Sequence, residues 1–438
     1  MKTAAGAAPT WFGHPRGLTV LFLTNMWEQF SYYGMRALLV YYMTKELMLG
    51  QAHASLVYGA YTACAYFTPI LGGVLADRAL GKRRAIVIGA SIMAAGHFMM
   101  TFDALFYFAL ATIALGNGLF LPSLPSQVGD LYAHGDARRG WAFNVYYVGV
   151  NIGGFLAPLI CGTVGELYGW HYGFGLAGIG MLAGLAIYVA GGRHLPPELP
   201  RQRQVDEAPR RGMARDTVLV LLGVGLAVTL FRAAYEQVGN TVALWADTGV
   251  DRSAAGFEIP MTWFQSLNPL FVMLMTPPLL AWWGRRAARG IDQAPLRRMA
   301  CGALIVAGAY LLLAAVNWNA ATRGAATGWI WLLLFFLVLT FGELFILPTG
   351  LGLFARLAPR HLGSTTVAAW FLVTFAGSLA AGLVGGLWSR MQHGVFFALL
   401  AMLALLAGAL LWRLDGPMRR ADRPIGADAV ASTAIHHT

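Results

Sequence analysis

Asn25-Met26-Trp27-Glu28-Gln29-Phe30-Ser31-Tyr32-Tyr33-Gly34-Met35-Arg36 places two charges, Glu28 and Arg36, inside an apolar run that extends from Leu18 to Met43. At helical spacing Asn25, Glu28 or Gln29, Tyr32 or Tyr33, and Arg36 recur every three to four residues, which collects them on one face. A charge at the centre of a membrane-spanning helix costs roughly 2.5–3.5 kcal/mol even on the lenient insertion scale, so such residues line a cavity or a pathway. A plainer alternative has Arg36 snorkelling to an interface and Glu28 pairing with it inside the bundle.

Composition decides between a soluble and a membrane chain. Of 438 residues 58% are hydrophobic and 12% charged, far more apolar than a soluble domain of this length. The net charge of +11 is of the size that attracts nucleic acid, but its distribution argues otherwise. Most lysines and arginines cluster in alternate short loops, the positive-inside pattern of a polytopic membrane protein. Lys45, Arg252, Arg323 and Arg390 fall on the opposite side, and Arg36 and Arg232 lie within helices. Both termini are therefore expected in the cytoplasm, with an even number of spans in a bacterial-type inner membrane. Met1–Gly17 is polar and has no small-residue cleavage site after an apolar run, so no removable signal peptide is read there. Cys64, Cys161 and Cys301 all sit in apolar runs at unrelated spacings, which argues against disulfides or a metal site.

At about 20 apolar residues per span, the chain divides into spans near 18–43, 53–76, 85–103, 105–127, 141–163 and 173–191, then 216–246, 259–283, 297–316, 328–350, 364–388 and 394–413. Between the two sets, residues 192–215 hold four prolines and six arginines and read as an exposed linker. The expected organisation is an all-α membrane protein of twelve transmembrane helices in two six-helix bundles. The N-terminal bundle covers 1–191, the linker 192–215, the C-terminal bundle 216–414 and a polar tail 415–438. Two halves of this kind rock about a central site in secondary transporters. The histidines, His97 among them, are scattered without a serine or cysteine partner, which leaves enzymatic activity without support. Neither linker nor tail offers a signalling domain, which disfavours a non-transporting receptor.

Several further segments put polar groups where lipid would be. Gly72-Gly73-Val74-Leu75-Ala76-Asp77-Arg78-Ala79-Leu80-Gly81-Lys82-Arg83-Arg84 combines turn glycines with Asp77 and a basic cluster, which serves equally as a latch between helix ends and as a positive-inside loop. In the fifth span, Phe143-Asn144-Val145-Tyr146-Tyr147-Val148-Gly149-Val150-Asn151-Ile152-Gly153-Gly154-Phe155 holds Asn151 in mid-span, where its amide needs partners. Gly116-Asn117-Gly118-Leu119-Phe120-Leu121-Pro122 follows in the fourth. The second set opens with Phe231-Arg232-Ala233-Ala234-Tyr235-Glu236-Gln237, whose Arg232 and Glu236 share a face four residues apart. Trp263-Phe264-Gln265-Ser266-Leu267-Asn268-Pro269, Phe341-Gly342-Glu343-Leu344 and Trp370-Phe371 complete the set. Each aromatic taken singly is at least as consistent with packing as with ligand contact.

These stretches resemble the proton-dependent oligopeptide transporters of the major facilitator superfamily. The first-helix signature of that family is usually E-x-x-E-R-F-x-Y-Y-G-M-R, and Glu28, Phe30, Tyr32, Tyr33, Gly34, Met35 and Arg36 match it. Asn25 and Gln29 replace a glutamate and an arginine, and Leu121 replaces a lysine before Pro122. The segment around Asn151 is similar to the second family signature throughout, and Asp77 falls in the superfamily's conformational motif. Arg232 corresponds to no residue of the family pattern.

The resemblance implies import of di- and tripeptides by proton symport through alternating access, without a cofactor and in a monomer. A peptide is a zwitterion with fixed ends and variable side chains. Arg36 would grip its carboxylate with a forked pair of donors. By resemblance, Glu343 with Asn151 and Asn268 would take the ammonium, and Tyr32, Tyr33, Tyr66, Trp370 and Phe371 would shape side-chain pockets. Glu28 or Glu236 would couple protons, with Arg36 meeting Glu236 in an outer gate, Arg232 beside it and Asp77 in the inner latch. The neutral residues at 25, 29 and 121 leave open an uncoupled facilitator, and Arg36 alone would also suit another small anion or an amino acid.

Overall fold

The computed structural model describes residues 13–133, 135–198, 215–291, 294–357 and 363–421, and it is helical almost throughout. Seven helices precede the undescribed residues 199–214: α1 (Arg16–Tyr41), α2 (Gln51–Leu75), α3 (Lys82–Met99), α4 (Phe106–Asp130), α5 (Arg138–Ala157), α6 (Thr163–Tyr168) and α7 (Trp170–Ala190). Seven follow: α8 (Arg215–Tyr235), α9 (Thr241–Thr248), α10 (Leu267–Ala288), α11 (Pro295–Arg323), α12 (Trp329–Leu357), α13 (Gly363–Gly385) and α14 (His393–Ala421). Two two-residue strand pairs, Val250–Asp251 beside Thr327–Gly328 and Ser253–Ala254 beside Phe257–Glu258, sit in the loops. Most of the expected linker and of the polar tail lies outside the described residues.

Nine helical segments among the described residues are long and apolar enough to cross a membrane. Helices α1, α3 and α10 fall outside that number, α1 being the helix that carries the polar face quoted above. Leu115, Leu182, Leu222, Leu383 and Trp412 are exposed on the outside of the bundle, where a bilayer in place of water makes an apolar surface stable. Inside, two apolar clusters are built from residues 18–195, and a third from residues 220–418 that also takes in Val40 and Tyr41.

Two expected spans are interrupted. The stretch 216–246 reads as one helix, yet α8 ends at Tyr235, a 3-10 turn runs through Glu236–Gly239, and Asn240 departs from helical geometry before α9 begins. Part of the reason lies in Gly239, which packs so closely on Tyr58 and Arg36 that a side chain there would collide with the Tyr58 hydroxyl. The expected start of the eighth span is likewise a 3-10 turn, Met261–Ser266, preceding α10. Its N-terminal amides are satisfied from a distance: Glu166 on α6 accepts from Met261 N–H (3.1 Å) and Thr262 N–H (2.9 Å), which supplies the acceptor a helix start lacks.

The polar contacts between residues 13–198 and 215–421 gather at the end of the bundle where α1 finishes and α2 begins. Lys45 pairs with Asp247 at 2.8 Å, Ser55 donates to Asn240 at 2.9 Å, Gln51 reaches the Gly385 carbonyl at 3.0 Å and the Tyr41 hydroxyl reaches Ala243 O at 2.8 Å. Helices α2 and α13 approach so closely there that Gly59 lies against the backbone of Gly382. At the opposite end Lys82 pairs with Asp130 at 2.6 Å, and Glu198 accepts from the Arg83 N–H at 2.5 Å.

Candidate functional site

Between α1, α2, α5, α8, α10 and α12 lies a cavity of about 180 Å³. Arg36 and Tyr33 enter it from α1, Tyr66 from α2, Asn151 and Tyr147 from α5, Arg232, Tyr235 and Glu236 from α8 and the turn after it, Asn268 from α10, and Glu343 from α12. Six expected site residues therefore share one cavity with the expected gate pair Arg232 and Glu236: the sequence face of α1 points inward because no lipid-facing position could hold it.

Its charges are ordered at two poles. At one, Glu236 is almost fully buried (1% exposed) and its two oxygens are divided between two arginines: Oε2 accepts from Arg36 Nη2 and Oε1 from Arg232 Nη2. The Arg36 Nε also donates to the Tyr58 hydroxyl at 2.7 Å. The Arg232 guanidinium lies 4.8 Å from the centre of the Tyr66 ring, a cation–π contact. At the other pole Asn268 Nδ2 donates to Glu343 Oε2 at 2.6 Å and to Thr340 Oγ1 at 3.1 Å. Asn151 uses its own Nδ2 on the Tyr147 carbonyl at 2.9 Å, within the same wall.

Other expected residues stand apart. Among the described residues the cavity wall does not include Tyr32, Trp370, Phe371, Glu28 or Asp77. Tyr32 packs edge-on against Tyr33 with ring centres 5.5 Å apart. Trp370 is buried with its ring against Gly350, and Phe371 is half-buried beside it on α13. Asp77 is exposed in the turn after α2. Glu28 is 1% exposed and takes a hydrogen bond from Gln29 Nε2 at 2.7 Å, with no ion pair among the described residues; Arg232, the cation that could have reached it, is committed to Glu236. Sequence reasoning missed Tyr58, Tyr147, Tyr235 and Gln265 as neighbours of the site. Tyr235 and Tyr147 adjoin residues that were singled out, whereas Tyr58 sits in an uncharged stretch of α2 with no signal in its flanks.

The profile of the POT family, named PTR2, matches residues 83–210 and 201–399. The chain belongs to the POT family. Full-length relatives agree. The peptide transporter YePEPT of Yersinia enterocolitica is 31% identical over 94% of this chain and 96% of its own length, and a di-/tripeptide transporter of Lactococcus lactis subsp. cremoris is 30% identical over 93% and 97%. An uncharacterized transporter of Bacillus subtilis, YclF, is 30% identical over 94% and 95%. Among solved structures, the peptide transporter POT in complex with sulfate superposes with a TM-score of 0.87 at 29% identity, covering 95% of this chain and 98% of that one. A mutant of the peptide transporter POT holding alafosfalin gives 0.85 at 30%, covering 94% and 97%. This POT-family chain is thus an all-α, multi-pass membrane transporter with the major facilitator fold. Its Glu236 is clamped by two arginines, Arg36 and Arg232.

Proposed function

We propose that this POT-family transporter imports di- and tripeptides by proton symport, its two halves rocking about the central cavity. The observation that carries the peptide assignment is the separation of charge within one cavity. Arg36 at one pole suits a carboxylate, Glu343 with Asn268 at the other suits an ammonium, and a short zwitterion needs both. The di-/tripeptide transporters among its relatives support the same substrate.

In this reading helices α1, α3 and α10 join the nine more apolar segments to make twelve spans, in bundles 1–191 and 216–414 joined by the linker 192–215. The positive loops and both termini face the cytoplasm, with the tail 415–438 beyond the last span, in an inner membrane. The contacts gathered around Gly59–Gly382 and Lys45–Asp247 then close the outer side, so the conformation is open inward, and Asp77 belongs to the inner latch. Tyr32, Trp370 and Phe371 border the cavity in other states of the cycle. The chain acts as a monomer with protons as its only coupling ion, and Glu28 is the proton-carrying carboxylate, since it is buried with no cation beside it.

A second reading has its own observation. Asn25, Gln29 and Leu121 are neutral and Glu28 stands without an ion pair, which also fits a facilitator that has lost its coupling. Dipeptide uptake into liposomes, with an inward proton gradient and without one, decides between them. Accumulation above equilibrium only with the gradient is the expected result; equilibration to one level in both cases would make the chain a facilitator. Uptake of labelled dialanine that assorted di- and tripeptides fail to compete would remove the peptide assignment.

A further inference from the structure

Arginines crowd the connection between α10 and α11. Residues 285–298 contain Arg285, Arg286, Arg289, Arg297 and Arg298, and the single acid of that stretch, Asp292, lies outside the described residues. Arg285 and Arg286 close α10, where cations suit the negative end of the helix dipole. Arg297 and Arg298 open α11, where the dipole opposes them, and that first turn has neither an acidic residue nor a side-chain cap. Helix stability therefore does not account for their position. Asp415 on α14, 3% exposed, answers Arg297 at 2.7 Å and Arg419 at 3.0 Å, so this one carboxylate is already divided between two cations.

Three of these guanidiniums rest on indole rings. Arg286 lies 5.2 Å from the centre of the Trp282 ring, Arg298 4.5 Å from that of Trp283 and Arg297 5.6 Å from that of Trp412, cation–π contacts that hold each planar cation in place. Excess positive charge in a loop is enough to orient a membrane protein and needs no such support. Trp282 and Trp412 are themselves largely exposed, as amphipathic rings at the headgroup level are. Arg297 also heads a stripe on α11 whose next members at seven-residue spacing, Leu304 and Leu311, are exposed. Helix α11 has 29 residues and so spans about 43 Å. Its far end meets the strand Thr327–Gly328, paired with Val250–Asp251 close to the Lys45–Asp247 contact, so the arginines lie at the opposite end of the bundle, level with a headgroup layer.

We infer that the α10–α11 connection binds the headgroup of an anionic phospholipid, with Arg286, Arg289 and Arg297 taking its phosphate oxygens and an acyl chain lying along Leu304 and Leu311. A guanidinium laid on an indole keeps its N–H donors at its edges, in the plane from which a phosphate is gripped as a fork. Arg289 is exposed, and half of the Arg297 side chain is exposed although its Nε holds Asp415. The inference concerns the boundary with lipid and stands whatever solute the central cavity carries.

The test is titration of the full-length protein in a neutral detergent with phosphatidylglycerol or phosphatidylcholine of matched acyl chains, bound lipids being counted by native mass spectrometry. The native protein is expected to hold phosphatidylglycerol about tenfold more tightly than phosphatidylcholine. R286Q/R289Q takes two cations from the patch and is expected to lose about tenfold in phosphatidylglycerol binding, with phosphatidylcholine binding unchanged. R84Q/R193Q removes the same charge from exposed arginines beside Lys82 and Gly192, at the same end of the bundle, and is expected to match the native protein. Equal binding of the two lipids by the native protein overturns the inference, and so does undiminished phosphatidylglycerol binding by R286Q/R289Q. An equal loss in both double variants overturns it as well, because attraction would then follow overall charge. Should R286Q/R289Q fail to fold, the native protein and R84Q/R193Q decide the matter: a preference that R84Q/R193Q loses is not made by this patch.

Discussion

Arg36 and Glu236 lie 200 positions apart in the chain and meet in a buried ion pair that joins α1 to the break after α8, with the Tyr58 hydroxyl on a second donor of the same guanidinium. A planar fork can serve two acceptors at once, and an ammonium on a flexible stem does so poorly. Arg36→Lys keeps the charge and loses that geometry. At about 1.5–3 kcal/mol per charge-assisted hydrogen bond, peptide uptake is expected to fall by at least about tenfold. Initial rates in proteoliposomes measure this, and a Lys variant at native rates would show that the double contact is not used.

Glu343 and Asn268 define the opposite pole. Glu343→Gln removes the negative charge while keeping a hydrogen-bonding amide, so the half-saturation concentration for dipeptides is expected to rise roughly ten- to hundredfold. Peptides acetylated at the N-terminus, which have no ammonium to lose, are expected to show little change. Equal losses for both kinds of peptide would place the ammonium elsewhere.

Glu28 is buried with only the Gln29 amide beside it. Glu28→Gln keeps the shape and a hydrogen bond and removes the titratable proton. Gradient-driven accumulation is expected to disappear while counterflow exchange of peptide persists. Full accumulation in the variant would move the coupling carboxylate to another residue.

Gly59 and Gly382 bring the backbones of α2 and α13 into contact, and a Cβ on Gly59 would collide with main-chain atoms that cannot rotate away. Gly59→Val is expected to hold the two helices apart and to reduce uptake to background, with the protein still monodisperse and folded by thermal melting. Gly382→Val should behave alike. Native transport by either variant would mean that the close approach is not part of the cycle.

Asp136, in the turn before α5, accepts from the Arg138 guanidinium and from the Arg138 N–H at 2.9 Å, and those hydrogen bonds hold its carboxyl below the usual range. A carboxyl with a depressed folded-state pKa contributes stability above its unfolded value and loses it as pH falls through the folded one. Asp136→Asn is therefore expected to lower the melting temperature slightly at neutral pH and to match the native protein in acid. A difference that persists or grows in acid would contradict this.

Much of the fold was legible in the sequence because a bilayer constrains it strongly. Long apolar runs and alternate basic loops place most of the expected spans on helices, the spans 216–246 and 259–283 being the ones that the structure interrupts. The break at Glu236–Gly239 was not legible, since it depends on how closely Gly239 meets Tyr58 and Arg36, and hydropathy carries no trace of such an approach.

The site divides in the same way. That Arg36 and Asn151 must face inward followed from the residues alone, because lipid cannot solvate them, whereas the placing of Asn268 and Glu343 at the cavity came from resemblance. The expected pairing of Arg36 with Glu236 came from resemblance. That Glu236 is shared with Arg232, that Glu28 is left without a cation, and that Tyr58 supports Arg36 depend on distances between helices. Membrane partition acts on one residue at a time and can be read along the chain, whereas ion pairing is decided by which side chains the packed helices bring within three ångströms of one another.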